Sequence, residues 1–188
     1  MADRSNLFPE SYWVLPDRFL AGENPVRFDV DVTSRRLSAL LDAGIDTFID
    51  LTQPDELPVY LTLLQEMARV KDRTVSYQRF PILDRGLPSR KEMTTTLDAL
   101  DEALSNGHKV YLHCWGGVGR TGTVVGCYLI RHGVTGQQAL DQIAGWWLEM
   151  PKRQVYSRSP ETDEQVRFIL DWHESSGSLR NPRMKKKG

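Results

Sequence analysis

Cys114 and Arg120 are the two side chains of this sequence best spaced to do chemistry together. They bracket Trp115-Gly116-Gly117-Val118-Gly119, with His113 before them and Thr121-Gly122 after. Val110-Tyr111-Leu112 in front reads as a short buried strand, and Thr121 to Arg131 behind reads as a buried helix. A glycine-rich turn from a strand into a helix N-terminus aims successive backbone N–H groups into one concavity, which makes an anion site. The helix dipole and Arg120 both favour thiolate at Cys114. Arg120 adds a planar fork of donors that matches two phosphate oxygens at once. The set presents an activated nucleophile to a bound phosphate ester.

A thiolate that cleaves a phosphoester needs a proton for the leaving oxygen, so an acid is expected on a nearby loop. Phe80 to Ser89 is the candidate segment, shaped by Pro81, Gly86 and Pro88 and carrying Asp84 thirty residues ahead of Cys114. Without that role Asp84 reads as a turn residue. Thr121 reads as a helix cap. His108, His132 and His173 have no ligand spacing, so neither a metal nor a cofactor is expected. Cys127 lies about 10 Å along the predicted helix from the loop and reads as core packing. Trp146, Trp147 and Trp172 read as core or groove wall.

The elements that must position these groups alternate along the chain. Trp13-Val14-Leu15 and Phe19-Leu20-Ala21, split by Pro16-Asp17, predict an edge hairpin. Ser34 to Ala43, stopped by Gly44, predicts a helix, and Ile45 to Leu51 a buried strand. Leu57, Tyr60, Leu61, Leu64, Met67 and Ala68 form a helical stripe; Thr74 to Phe80 alternates as a strand. Ser89-Arg90-Lys91-Glu92 is a capping box opening another helix. Lys109 to His113 leads into the loop, Thr135 caps a later helix, and Ser159-Pro160 is expected to start the last. The fold class is therefore α/β, a central, mainly parallel sheet flanked by helices on both faces. A single domain is expected over residues 1–175, with a basic, disordered tail over 176–188.

His113-Cys114, five residues, Arg120, then Thr121-Gly122 resembles the signature of the cysteine-dependent protein tyrosine and dual-specificity phosphatases. The Trp-Gly-Gly-Val-Gly filling is most similar to the cyclin-dependent-kinase-associated phosphatase branch. Rhodanese-type sulfur transferases also use a cysteine-headed anion loop, but Arg120-Thr121-Gly122 and a long buried helix fit them less well. The resemblance covers roughly residues 13–173 and implies a phosphomonoester hydrolase acting on phosphorylated proteins through a phosphocysteine intermediate. It implies that Trp115 to Arg120 bind phosphate and that Asp84 is the general acid. It further implies that Thr121 hydrogen-bonds the cysteine sulfur and that His113 orients the loop. One departure stands out: Pro160-Glu161-Thr162 occupies the place of the Ile-Gln-Thr of the family's tyrosine-specific members, whose glutamine positions the hydrolytic water. Glu161 and Gln165 are both candidates for that task. An inositol-phosphate or phosphoinositide phosphatase is a rival reading, although such members place lysines inside the loop and this loop has none. A catalytically silent phosphoprotein-binding module is a reading of another class, against which the intact Cys114, Arg120 and Asp84 set argues.

Composition narrows the classes further. The chain has 188 residues, 40% hydrophobic and 26% charged, enough for a core without disulfides or metal. A net charge of −1 argues against a nucleic-acid partner. Residues 1–60 are net acidic and the remainder net basic, an excess that Arg180, Arg183 and Lys185 to Lys187 can supply by themselves. Only two cysteines occur, Met1 to Glu10 lacks the apolar core of a signal peptide, and no run suits a membrane span. The expected location is the cytoplasm. Oligomeric state leaves no mark in the sequence.

Overall fold

A computed structural model describes residues 7–174; the expected tail lies outside them. Five strands form one sheet: β1 (Ser11–Leu15), β2 (Phe19–Glu23), β3 (Thr47–Asp50), β4 (Ser76–Arg79) and β5 (Val110–Cys114), in the order β1-β2-β5-β3-β4. Only β1 and β2 pair antiparallel; the β2–β5, β5–β3 and β3–β4 pairs are all parallel. The mainly parallel sheet expected from the sequence is thus observed. Only β1 of the predicted edge hairpin lies at an edge, because β2 continues inward to pair with β5.

Helices α1 (Val30–Asp42) and α2 (Leu61–Val70) cover one face. Leu37, Leu40, Leu41 and Leu64 there pack with Leu20, Phe48 and Tyr111 from the sheet. The other face is covered by α3 (Arg90–Ser105), α4 (Gly119–Arg131), α5 (Gly136–Trp147) and α6 (Asp163–Leu170). Leu97, Leu100, Val125, Ile143 and Ile169 pack there on Ile49, Val110 and Leu112. Trp147 and Trp172 are buried in that core, and Trp146 packs against it, as expected. The two-residue period of β5 sends Tyr111 to one core and Val110, Leu112 and Cys114 to the other.

Helix starts follow their caps. Asp29 accepts from the N–H groups of Asp31 and Val32, so α1 begins four residues earlier than the apolar stripe suggested. The capping box at Ser89 is present, and Thr135 caps α5 as expected, in a capping box with Gln138. Ser159-Pro160 does not start the last helix. Thr162 caps it, in a capping box with Gln165, and Pro160 lies in the segment leading to it. Gly44 ends α1's connection at φ +85°, a conformation that favours glycine.

Strand order sets where function can sit. Parallel β2, β5 and β3 bring their carboxyl ends together, with Glu23 opposite Cys114 and Asp50 opposite His113. The chain leaves β5 for α4 on one face but leaves β2 and β3 for α1 and α2 on the other, the arrangement at which open α/β sheets form a crevice.

Candidate active site

The sequence-predicted loop leaves β5 at this edge and enters α4 at Gly119. Gly117 has φ +72°, and a Cβ there would lie 2.7 Å from the backbone of Gly22 and Glu23. Both the turn and the close approach to β2 therefore require glycine. Side chains cap α1, α3, α5 and α6, whereas α2 and α4 have none, and α4 begins at Val118 within the loop. Its first N–H groups are left for an anion.

A cleft of about 340 Å³ opens over this terminus, and Cys114, Arg120, Asp84, Trp115 and Glu161 are among its walls. Cys114 is 2% exposed. Arg120 is equally buried and splayed among four acceptors. Its Nη1 donates to Glu56 Oε2 at 2.7 Å and Ile82 O at 3.1 Å; its Nη2 donates to Glu56 Oε1 at 2.5 Å and Asp84 Oδ1 at 2.9 Å. Burial disfavours the guanidinium charge, yet Glu56, the Cys114 sulfur and Asp84 outweigh it and push its pKa up. Burial likewise works against the Glu56 charge, but Arg120 and the Gln53 N–H hold that carboxyl below its usual range. Asp84, by contrast, is more than half exposed, so its tie to Arg120 is the weaker one.

Asp84 sits on a loop held at both ends. Phe80 N–H donates to Asp50 O and Ile82 N–H to Leu51 O, fastening its start to the end of β3. Gln165 Nε2 donates to Gly86 O at 3.3 Å, while Gln165 Oε1 accepts from the N–H groups of Glu161 and Thr162. Gln165 is fully buried and occupied by these contacts. Glu161 instead faces the cleft, paired to Arg85 at 2.6 Å.

His113 and Cys114 diverge because they are neighbours on a strand. The imidazole is buried beneath Tyr60, which sits at the N-terminus of α2, with Nε2 2.7 Å from the Tyr60 hydroxyl and Nδ1 3.2 Å from Cys114 O. A carbonyl only accepts, so Nδ1 carries the proton and the tyrosine hydroxyl donates to Nε2. Asp50 lies 3.8 Å from Nδ1 and is itself held by Thr52, Tyr77 and Arg79. Burial lowers the pKa of His113 and outweighs the pull of Asp50. Its neutral ring therefore contributes stability that is complete above about pH 6.5 and is lost as pH falls below that value. Urea unfolding is expected to show a lower midpoint at about pH 5.5 than at about pH 7.5, with a slope of up to about 1.4 kcal/mol per pH unit, and His113→Gln to flatten it. An unchanged or higher wild-type midpoint at the lower pH contradicts this assignment.

Thr121 differs from expectation. Its hydroxyl donates to Gly22 O at 3.2 Å, and among the described residues no hydrogen bond joins it to the Cys114 sulfur. The close approach of α4 to β2 puts that carbonyl within reach. Cys127 is a free, buried thiol whose pKa burial pushes up, in keeping with core packing. Among the described residues no cluster of three or more His, Cys, Asp or Glu could hold a metal ion. Sequence reasoning missed Glu56, Tyr60, Lys152 and Ser159. The one available signal was that a buried arginine requires a carboxylate partner.

The family model described as "Swiss Army Knife protein, DSP-PTPase phosphatase domain" matches residues 9–169. The chain belongs to this phosphatase-domain family. Over 111 residues it is 30% identical to cyclin-dependent kinase inhibitor 3 of Rattus norvegicus, covering 55% of this chain and 50% of that protein. The chain spans about half the length, or less, of the curated relatives it matches. Tk-PTP in its active form superposes with a TM-score of 0.64 and 26% identity, over 87% of this chain and 97% of that one. Kinase associated phosphatase shares the fold, with a TM-score of 0.65 and 22% identity over 83% of this chain and 89% of that one. The likeness to the cyclin-dependent-kinase-associated branch drawn from the loop residues agrees with these matches.

Proposed function

We propose that this phosphatase domain hydrolyses phosphomonoesters on proteins through a phosphocysteine intermediate. The observation that carries the reading is the convergence of Cys114, the buried Arg120 guanidinium and the uncapped N-terminus of α4 on one cleft. Cys114 attacks phosphorus in line, forming an S–P bond as the P–O ester bond breaks, and Asp84 gives its proton to the leaving oxygen. Arg120 and the loop N–H groups hold the equatorial oxygens. Water then attacks phosphorus, its proton passes to Asp84, and the S–P bond breaks to restore the thiolate. Glu161, facing the cleft, is assigned to orient that water, since the Gln165 amide is committed elsewhere.

Donor counting adds a step. Arg120 has five N–H bonds; Glu56, Ile82 O and Asp84 take four, leaving Nε. A bidentate grip on phosphate through Nε and Nη2 requires Asp84 to leave Nη2. The entering phosphate thus takes the place of Asp84 on Arg120, and the freed carboxylate, now beside a dianion, takes up a proton from solvent and turns to the ester oxygen as its acid.

The cleft rim favours a protein substrate over a polyphosphorylated inositol. Its cations Arg85 and Lys152 are each already paired, with Glu161 and Glu23, so little free positive charge remains for further phosphates. Trp115 and Tyr156 are exposed beside it and offer apolar contact to a peptide. Because the nucleophile must stay reduced, we assign the chain to the cytoplasm. No helix among the described residues is long and apolar enough to cross a membrane.

The test is turnover of para-nitrophenyl phosphate and of phosphotyrosine, phosphoserine and phosphothreonine peptides, with chelator present, against inositol polyphosphates. Hydrolysis of the aryl ester and of at least one peptide is expected, sensitive to vanadate. No turnover of any ester means a binding module, and preference for inositol polyphosphates overturns the assignment of substrate.

A further inference from the structure

Three carbonyls on the outer side of the phosphate loop are each tied by a donor from elsewhere in the chain. Trp115 O accepts from Asn24 N–H at 2.9 Å, Gly116 O from Lys152 Nζ at 2.9 Å, and Val118 O from Ser159 Oγ at 2.7 Å. A trans peptide group is planar, so its N–H points opposite to its C=O. Drawing these carbonyls outward turns the N–H groups of Gly116, Gly117 and Gly119 the other way, toward the anion.

The Gly116–Gly117 peptide is the least constrained of the three, because glycine flanks it on both sides and the barrier to rotating such a unit is low. Among the described residues its carbonyl has one partner, Lys152. That lysine stands on the turn Pro151–Gln154 after α5 and reaches over the loop to Glu23, opposite Cys114 in the sheet. Glu23 is 1% exposed and is also bound by Arg27 and by Arg36, the latter at 2.5 Å. A buried carboxylate fixed by two arginines thus holds the lysine, and the lysine holds the peptide. An ion pair that served stability alone would not need its ammonium directed at a loop carbonyl.

We propose that Lys152 is a positioning residue, anchored by Glu23, that keeps the Gly116–Gly117 peptide turned so that the Gly117 N–H faces the bound phosphate. The proposal rests on the reading of this loop as the phosphate site of a phosphatase. Losing the tie lets the peptide rotate and present an oxygen, instead of a donor, to the dianion.

The experiment uses the full chain with Lys152→Met and Lys152→Arg. It measures kcat and KM for para-nitrophenyl phosphate, the vanadate inhibition constant, and the urea midpoint. Lys152→Met is expected to weaken vanadate and lower kcat/KM by about tenfold or more, the scale of misaligning one oxyanion donor, with a folded protein of nearly unchanged midpoint. Lys152→Arg, which keeps charge and donors, recovers much of both. A lowered midpoint with wild-type vanadate affinity overturns the proposal and leaves Lys152 a plain ion pair. If Lys152→Met does not fold, Lys152→Gln is read in the same way against the same two outcomes. A wild type without turnover or vanadate binding overturns the phosphatase reading instead.

Discussion

Cys114→Ser is expected to abolish turnover while vanadate or phosphate still binds. Serine preserves the loop, whose shape comes from Gly117, the ties to its carbonyls and the packing of α4, none of which involves the sulfur. What it removes is the sulfur nucleophile, for which a serine hydroxyl is a poor substitute. Residual activity above about a hundredth of wild type rules out an S–P intermediate, given the usual scale of losing a nucleophile. Arg120→Lys tests the other half of the pair. Lysine keeps the charge beside Glu56 but cannot span both Glu56 oxygens while presenting two further N–H bonds to phosphate. It is expected to lose nearly as much kcat/KM, and oxyanion affinity as well. That loss of affinity separates the two variants: binding without turnover for serine, and neither for lysine.

The parts of this site that could be read in the sequence are those that are contiguous. The strand, the glycine turn and the start of α4 occupy thirteen consecutive residues, so their mutual geometry follows from local conformation. Capping boxes at Ser89 and Thr135 are equally local, needing only a hydroxyl and a carboxyl or amide three residues apart. Glu56 was invisible for the opposite reason. It lies in an irregular stretch after β3, and it meets Arg120 only because β3 packs directly beside β5. Strand order is a property of the whole chain. Lys152 and Glu23 are farther apart still, joined across 129 positions by the fold of the segment after α5. The start of α1 was misplaced because Val30-Asp31-Val32-Thr33 has low helix propensity, which the Asp29 cap overrides. Ser159-Pro160 looked like a helix start on composition, yet the Ser159 hydroxyl is used on Val118 O and Thr162 has its own capping partner in Gln165. Thr121 shows the same limit in miniature: its hydroxyl was expected on the sulfur, but the carbonyl end of β2 comes within its reach.

Asp84→Asn is expected to slow hydrolysis of alkyl and unactivated aryl phosphates far more than hydrolysis of strongly activated aryl esters. A good leaving group departs without a proton, whereas a poor one needs the acid, an effect of about 10²–10⁴-fold. The Arg120 contact adds a second, independent expectation. Asp84 occupies Nη2 before phosphate arrives, so an anionic ligand must displace a carboxylate that Arg120 attracts. Asparagine keeps the shape but carries no charge, and its hold on the guanidinium is weaker. Vanadate should therefore bind Asp84→Asn at least as tightly as wild type, even as turnover of poor leaving groups collapses. Two outcomes count against the assignment: equal losses for good and poor leaving groups, or vanadate bound more weakly. The first means that another group supplies the proton. The second means that Asp84 helps to build the phosphate site instead of yielding its place on Arg120 to the substrate.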